Sequence, residues 1–302
     1  MKKIKFLLAG LLLALLAVGQ LAAQNVEAIR ATLLNPKSNK VLVVSHRGNW
    51  RSLAPENSLA AIDSAIQMKV DVVELDVWKT KDGVPVLMHD ERVDRTTNGK
   101  GRIADMTLAE IKSLRLKDKD GNITEHTVPT LEEALLRAKG KIMMNLDKAS
   151  DYFDEVFALL EKTGTRDMII MKGWKSAAEV KKEFGKYLDK VIYMPIINME
   201  DPEPIERAKA FRKELHSGIF ELCYSNPESV YPKQMKKLLR GKATIWYNSL
   251  WASLNGGHED DKAVNDLDGN YGYLIDELHA RVIQTDRPAL LLDYLRSRGM
   301  HD

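Results

Sequence analysis

The sequence predicts an α/β fold, a (β/α)8 barrel with a small cap inserted after the third strand. Three observations lead there. Apolar, β-branched runs alternate with helical patterns from Val41 to near the C-terminus. Eight such runs over roughly 260 residues suit one barrel. No Gly-rich phosphate loop follows the first run, and a doubly wound dinucleotide sheet would need one.

The eight expected strands are Val41–Ser45, Val70–Val77, Lys141–Asp147, Asp167–Met171, Val191–Ile196, Gly218–Leu222, Lys242–Tyr247 and Arg281–Thr285. Helical stretches separate most of them: Asn57–Met68, Leu131–Lys139, Asp151–Lys162, Ala177–Leu188, Pro204–Leu215 and Glu228–Leu239. The segment Asn25–Lys40 reads as polar lead-in. Pro85–His89 stands outside this alternation, because Trp78 to Val84 is too short for a crossover helix. Asp82-Gly83 marks a hairpin there, and a two-residue turn at that pair sets Asp76 opposite His89. Residues 91–128 have few apolar anchors and exceed an ordinary barrel loop, which makes them the inserted cap. Asp118-Lys119-Asp120-Gly121 and Asp266-Leu267-Asp268-Gly269 lack the other ligands of a calcium loop and read as turns.

The first 23 residues differ from the rest. Three lysines precede an apolar stretch, Phe6 to Gly19, and Leu21-Ala22-Ala23 offers small residues for cleavage. The expectation is a signal peptide over 1–23, a barrel domain over 24–302, and a periplasmic or secreted product with no stable membrane anchor. Cleavage takes the formal charge from +2 to −1. A near-neutral protein has no general attraction for nucleic acid or anionic membranes. The lone thiol, Cys223, reads as a buried strand residue.

Chemistry concentrates where apolar runs end. Glu74 and Asp76 share one face of their strand, and two buried carboxylates on one face need a cation. Asp147 ends another run, and it is either a third ligand converging on a hard divalent ion or a helix N-cap. His46 and His89 close two strands beside this cluster and suit acid and base roles. Arg47 suits forked phosphoryl binding, with a surface ion pair as the alternative.

Together His46-Arg47-Gly48, Pro55-Glu56-Asn57-Ser58, Glu74-Leu75-Asp76-Val77, Thr80-Lys81-Asp82-Gly83, Pro85-Val86, His89-Asp90, Asp94-Arg95-Thr96-Thr97 and Thr285-Asp286-Arg287-Pro288 resemble the glycerophosphodiester phosphodiesterase family. The resemblance implies a TIM barrel with one divalent cation, Ca2+ or Mg2+, on Glu74, Asp76 and Asp147. It implies hydrolysis of small-molecule glycerophosphodiesters to glycerol 3-phosphate and an alcohol. His46 and His89 match the family's acid/base pair, and Arg47 matches its phosphate contact. Two positions depart from the family pattern. The third ligand is commonly Glu in a Glu-x-Lys element, whereas Asp147 is followed two residues later by Ala149. Alternation turns Lys148 to the opposite strand face, which makes Lys172 the replacement lysine. Trp246-Tyr247-Asn248 and Trp251 replace a Trp-Thr-Val-Asn element. These aromatics either wall the substrate pocket, with Trp246 as a contact, or pack the core. A phosphoinositol or sugar phosphodiesterase and a non-catalytic binding protein are the competing functions on the same barrel.

Overall fold

The computed structural model describes residues 26–52 and 54–302, so the expected signal peptide lies outside the described residues. Within them, nine strands form one sheet: β1 Leu42–Ser45, β2 Val72–Lys79, β3 Pro85–Leu87, β4 Met143–Asp147, β5 Ile169–Gly173, β6 Ile192–Asn198, β7 Ile219–Cys223, β8 Thr244–Asn248 and β9 Val282–Thr285. All pair in parallel except β3, which runs antiparallel to β2. β1 pairs with both β2 and β9, which closes the eight parallel strands into a barrel. Closure explains why these strands read as continuous apolar runs: one face meets the barrel interior and the other the helices.

Seven helices flank these strands: α1 Val26–Leu33, α2 Leu59–Met68, α3 Leu108–Ser113, α4 Leu131–Ala138, α5 Phe153–Thr163, α6 Ala177–Phe184 and α7 Pro204–Glu214. They are followed by α8 Tyr231–Leu239, α9 Asp260–Ala263, a π-helix Asp268–Glu277 and α10 Pro288–Ser297. Side chains start several of them. Ser58 accepts from the Ala61 N–H to begin α2, and Thr130 with Glu133 forms a capping box at α4. Among the described residues no helix is long and apolar enough to cross a bilayer.

α1 falls where the sequence reads as polar lead-in. Eight residues are too few for a stable isolated helix. This one forms because Ile29 and Leu33 bury against the N-terminal end of the barrel, where the Thr244 hydroxyl donates to the Leu33 carbonyl at 2.7 Å.

The hairpin exists, but its register differs by one residue. Trp78 pairs with Val86 and Lys79 with Pro85, so Met88 rather than His89 lies opposite Asp76. The loop has three residues, not two. The Gly83 N–H donates to the Thr80 carbonyl and Gly83 takes φ +83°, the left-handed residue that ends a three-residue hairpin loop. Beyond β3, residues 91–128 pack on a satellite core of Val86, Met88, Val93, Ile103, Ile111, Leu116 and Val128. Asp118 accepts from the Asp120 and Asn122 N–H groups, so its segment is the expected turn.

Parallel register decides which side chains meet inside. Glu74 lies beside Asn145, and Asp76 beside Asp147. Asn145 neighbours Ile170, which places Lys172 on the same inner face. Ile196 aligns with Glu221, and Glu221 with Trp246. The upper interior is therefore polar, while the layer between strands and helices is apolar.

The C-terminus ties to the opposite, N-terminal end of β1. His301 Nε2 lies 2.9 Å from Asp71 Oδ2, which also accepts the Val43 N–H. Burial opposes charge on His301, yet the Asp71 carboxylate outweighs it and raises the imidazole above its ordinary value. The pair's stabilisation is thus full below about pH 6.5 and is lost as pH rises through the folded-state value. The melting-temperature gap between wild type and His301→Gln is expected to be widest in that acidic range and to close at higher pH. A gap independent of pH would refute the assignment.

Candidate active site at the C-terminal mouth of the barrel

The mouth is organised by the turn after β1. Arg47 and Gly48 both take left-handed conformations, at φ +53° and +79°. A Cβ on Gly48 would lie 2.6 Å from the Ala61 Cβ, so glycine is needed for closeness as well as for backbone angle. The turn aims the Arg47 N–H at Glu74 Oε2, 3.0 Å away. His46 lies just before it, with Nδ1 2.8 Å from Asp286 Oδ1 at the end of β9. Trp50 Nε1 donates to the same oxygen. Gly48→Ala is expected to destabilise the fold by about 1–3 kcal/mol, read from the denaturation midpoint.

Glu74, Asp76 and Asp147 each offer an oxygen within 4.8 Å of the others. Glu74 and Asp76 are buried, and Asp147 is partly open. Burial, reinforced by Asp76, pushes Glu74 up to about 7. Burial acts the same way on Asp76, but Lys148, His89 and Arg47 outweigh it and hold that carboxyl below its ordinary range. Asn57 clamps Asp76 twice: its Nδ2 donates to Oδ2 and its Oδ1 accepts the Asp76 N–H, both at 3.0 Å. Three clustered hard oxygens with excess negative charge fit a divalent cation of the Ca2+ or Mg2+ type. Asp147 does not cap a helix; its Oδ1 accepts the Lys148 N–H at the strand end.

Both lysines reach this cluster. Lys172 is buried, with Nζ 3.6 Å from Asp147 and 3.4 Å from Glu221. Lys148 also enters, pairing with Asp76 Oδ1, although alternation assigns it to the outer face. The strand ends at Asp147 and Lys148 takes φ +61°, which reverses the direction that an extended residue would have.

On the other side of the mouth, His89 Nδ1 lies 2.6 Å from Asp90 Oδ1, and its carbonyl accepts from Trp78 Nε1. Arg95 bonds both Asp90 and Glu56, and Glu56 also receives Arg47. Arg47 is therefore not a surface ion pair: it is buried, with Nε 3.8 Å from Asp76 and within 3.2 Å of His46 Nε2. Arg47, Trp50, Glu56 and Arg95 line a cleft of about 510 Å3 that runs under the Lys117–Gly121 turn of the insertion.

Trp246 does not face the pocket. It is fully buried, and its Nε1 donates to Asn248 Oδ1. Asn248 in turn donates to Glu221, the partner of Lys172, so Trp246 belongs to the packing beneath the site. Trp251 does reach the mouth, 44% exposed with its ring edge-on to His46. Sequence reasoning assigned no role to Asn57, Glu56, Asp90, Asp286 or Glu221. The first four lie in the quoted motifs, and Glu221 had only its position in an apolar strand as a signal.

Residues 46–190 match the glycerophosphoryl diester phosphodiesterase family, a span holding both histidines, Arg47, both lysines and the three carboxylates. This match covers just under half of the chain. Residues 193–295 match a domain of unknown function, and this span holds Glu221, Trp251 and Asp286. A glycerophosphodiester phosphodiesterase of Caldanaerobacter subterraneus is 48% identical over 95 residues, 31% of this chain and 39% of that one. A crystal structure of a glycerophosphoryl diester phosphodiesterase from Parabacteroides distasonis superposes with TM-score 0.72 at 24% identity, covering 91% of this chain and 93% of that one. A phosphodiesterase of Oleispira antarctica, solved with the product sn-glycerol-3-phosphate, superposes with TM-score 0.64 at 21% identity, covering 85% and 97%. At those identities the two structures speak for the fold. The chain spans 39% to 66% of the length of three curated relatives it matches.

Proposed function

We propose that this protein is a metal-dependent phosphodiesterase that cleaves glycerophosphodiesters to glycerol 3-phosphate and an alcohol. The observation that carries the reading is the pair of His–Asp dyads, His46 with Asp286 and His89 with Asp90, flanking one carboxylate cluster. Each carboxylate holds Nδ1 of its imidazole, which leaves Nε2 of His89 for proton transfer, while Nε2 of His46 accepts from Arg47 Nε and exchanges its proton once substrate draws that guanidinium away. The family match over residues 46–190 and the glycerophosphodiester phosphodiesterase of Caldanaerobacter subterraneus support the same substrate class.

The neighbouring glycerol hydroxyl of the substrate gives its proton to one imidazole as its oxygen bonds phosphorus. The P–O bond to the alcohol breaks, and the second imidazole protonates the leaving oxygen. Water then opens the cyclic phosphate with the two roles exchanged. Arg47, buried beside His46, faces the phosphoryl oxygens, and Glu56 and Arg95 hold it there. Glu74, Asp76 and Asp147 would hold a divalent cation of the Ca2+ or Mg2+ type, which would supply positive charge for the phosphoryl oxygens. Lys172 holds Asp147 and Glu221 in place below that cluster. We further propose that residues 1–23 direct export to the periplasm or beyond, on the strength of their lysine-apolar-small pattern.

Glycerol 3-phosphate release is expected to disappear with EDTA, to return with added cation, and to fall roughly 10²–10⁴-fold in His46→Ala and in His89→Ala. Undiminished release in both variants would sink the reading. The pH profile gives a second check. Burial lowers the His89 pKa, while Asp76 and Asp90 pull it upward. The acid limb of kcat/KM should therefore lie below about 6.5, the ordinary histidine value. It should move further to acid in Asp90→Asn, which removes one upward pull. A limb unmoved by that substitution would detach His89 from the profile.

A further inference from the structure

Asp76 is almost wholly buried, and both of its carboxylate oxygens are in use. Oδ2 accepts from Asn57, and Oδ1 pairs with Lys148. The two partners differ in freedom. Asn57 is buried and fixed by backbone bonds on both sides, since its own N–H donates to the Arg47 carbonyl. The Lys148 side chain keeps 27% of its exposure and springs from a left-handed residue just past the end of β4. Its stem is therefore partly open to solvent and lies outside the strand ladder. Lys172 offers the contrast: its side chain is 4% exposed and held between Asp147 and Glu221, so it is a permanent counter-charge.

A cation shared by Glu74, Asp76 and Asp147 needs an oxygen that Lys148 now neutralises. An ammonium group and a divalent ion repel strongly at that distance in a dry site. We propose that Lys148 is a displaceable internal cation: it neutralises Asp76 in the metal-free protein, yields to the divalent ion, and then presents its ammonium to the phosphate anion at the mouth. Two observations support this. Without Lys148 or a metal ion, the buried Asp76 carboxylate would keep only Arg47, 3.8 Å from Oδ2, as a close cationic partner, so Oδ1 would lose its counter-charge. The left-handed backbone of a non-glycine residue is unfavourable, and here it serves to turn the side chain inward.

This inference rests on the metal reading above, and the test separates the two. Calorimetric titration with Ca2+ and Mg2+, and melting in EDTA and in saturating cation, are compared for wild type, Lys148→Gln, Lys148→Arg and Asp76→Asn. Lys148→Gln is expected to bind the cation roughly fivefold or more tightly than wild type. Its melting temperature should fall in EDTA but match wild type in saturating cation, because the ion then does the neutralising. Glycerol 3-phosphate should bind its cation-loaded form more weakly, and Lys148→Arg should restore wild-type behaviour on all three counts. A purely structural lysine would give the same melting deficit with and without cation. That result, or unchanged cation affinity in Lys148→Gln while Asp76→Asn abolishes binding, overturns the displacement. Cation binding that survives Asp76→Asn overturns it together with the metal assignment.

Discussion

Negative charge gathered in a nearly dry barrel mouth is the constraint on which the rest of this structure depends. Three carboxylates converge within 4.8 Å, and two of them are buried. In a low-dielectric interior such a cluster is unstable unless cationic or dipolar groups face it. The surrounding architecture supplies them: the Arg47 N–H on Glu74, Asn57 and Lys148 on Asp76, and Lys172 beside Asp147. Lys172 brings its own requirement for a second carboxylate, which Glu221 meets from two strands away. Asn248 and Trp246 then complete the chain of hydrogen bonds. One electrostatic demand thus links β2, β4, β5, β7 and β8.

The same logic positions the proton-transfer groups. A histidine at a strand end has rotational freedom unless something holds one ring nitrogen. Asp286, from the last strand, holds His46 across the seam where β1 meets β9. Asp90 holds His89, and Arg95 joins Asp90 to Glu56 and through it to Arg47. Arg95 and His89 keep the Asp90 carboxyl well below its ordinary range, so it stays charged as an acceptor. Barrel closure is therefore part of the site and not only a scaffold, because one dyad forms only when the first and last strands meet.

Two of the readings that changed on folding share one cause: each assumed regular strand geometry where a strand had already ended. Lys148 follows Asp147 by one position, and alternation turns it outward. A left-handed residue at the strand's end brings it in. The hairpin register moved by one because Gly83 closes a three-residue loop. Trp246 has the polar tip expected of a ligand contact, but its strand position places it below the mouth, beside Glu221. α1 carries too weak a local signal to announce itself and exists through its contact with the barrel base.

Local patterning by itself determined the barrel, the hairpin's existence, the inserted segment, and the carboxylates and histidines at strand ends. Apolar period and strand-end polarity are properties of short stretches of chain, so they are visible without coordinates. Tertiary structure alone decided the partners: Asp286 for His46, Glu221 for Lys172, Asn57 and Lys148 for Asp76. Three of these four pairings join residues 49 to 240 positions apart or depend on a single left-handed backbone angle. They are set by barrel register and chain reversal, which no window of sequence contains.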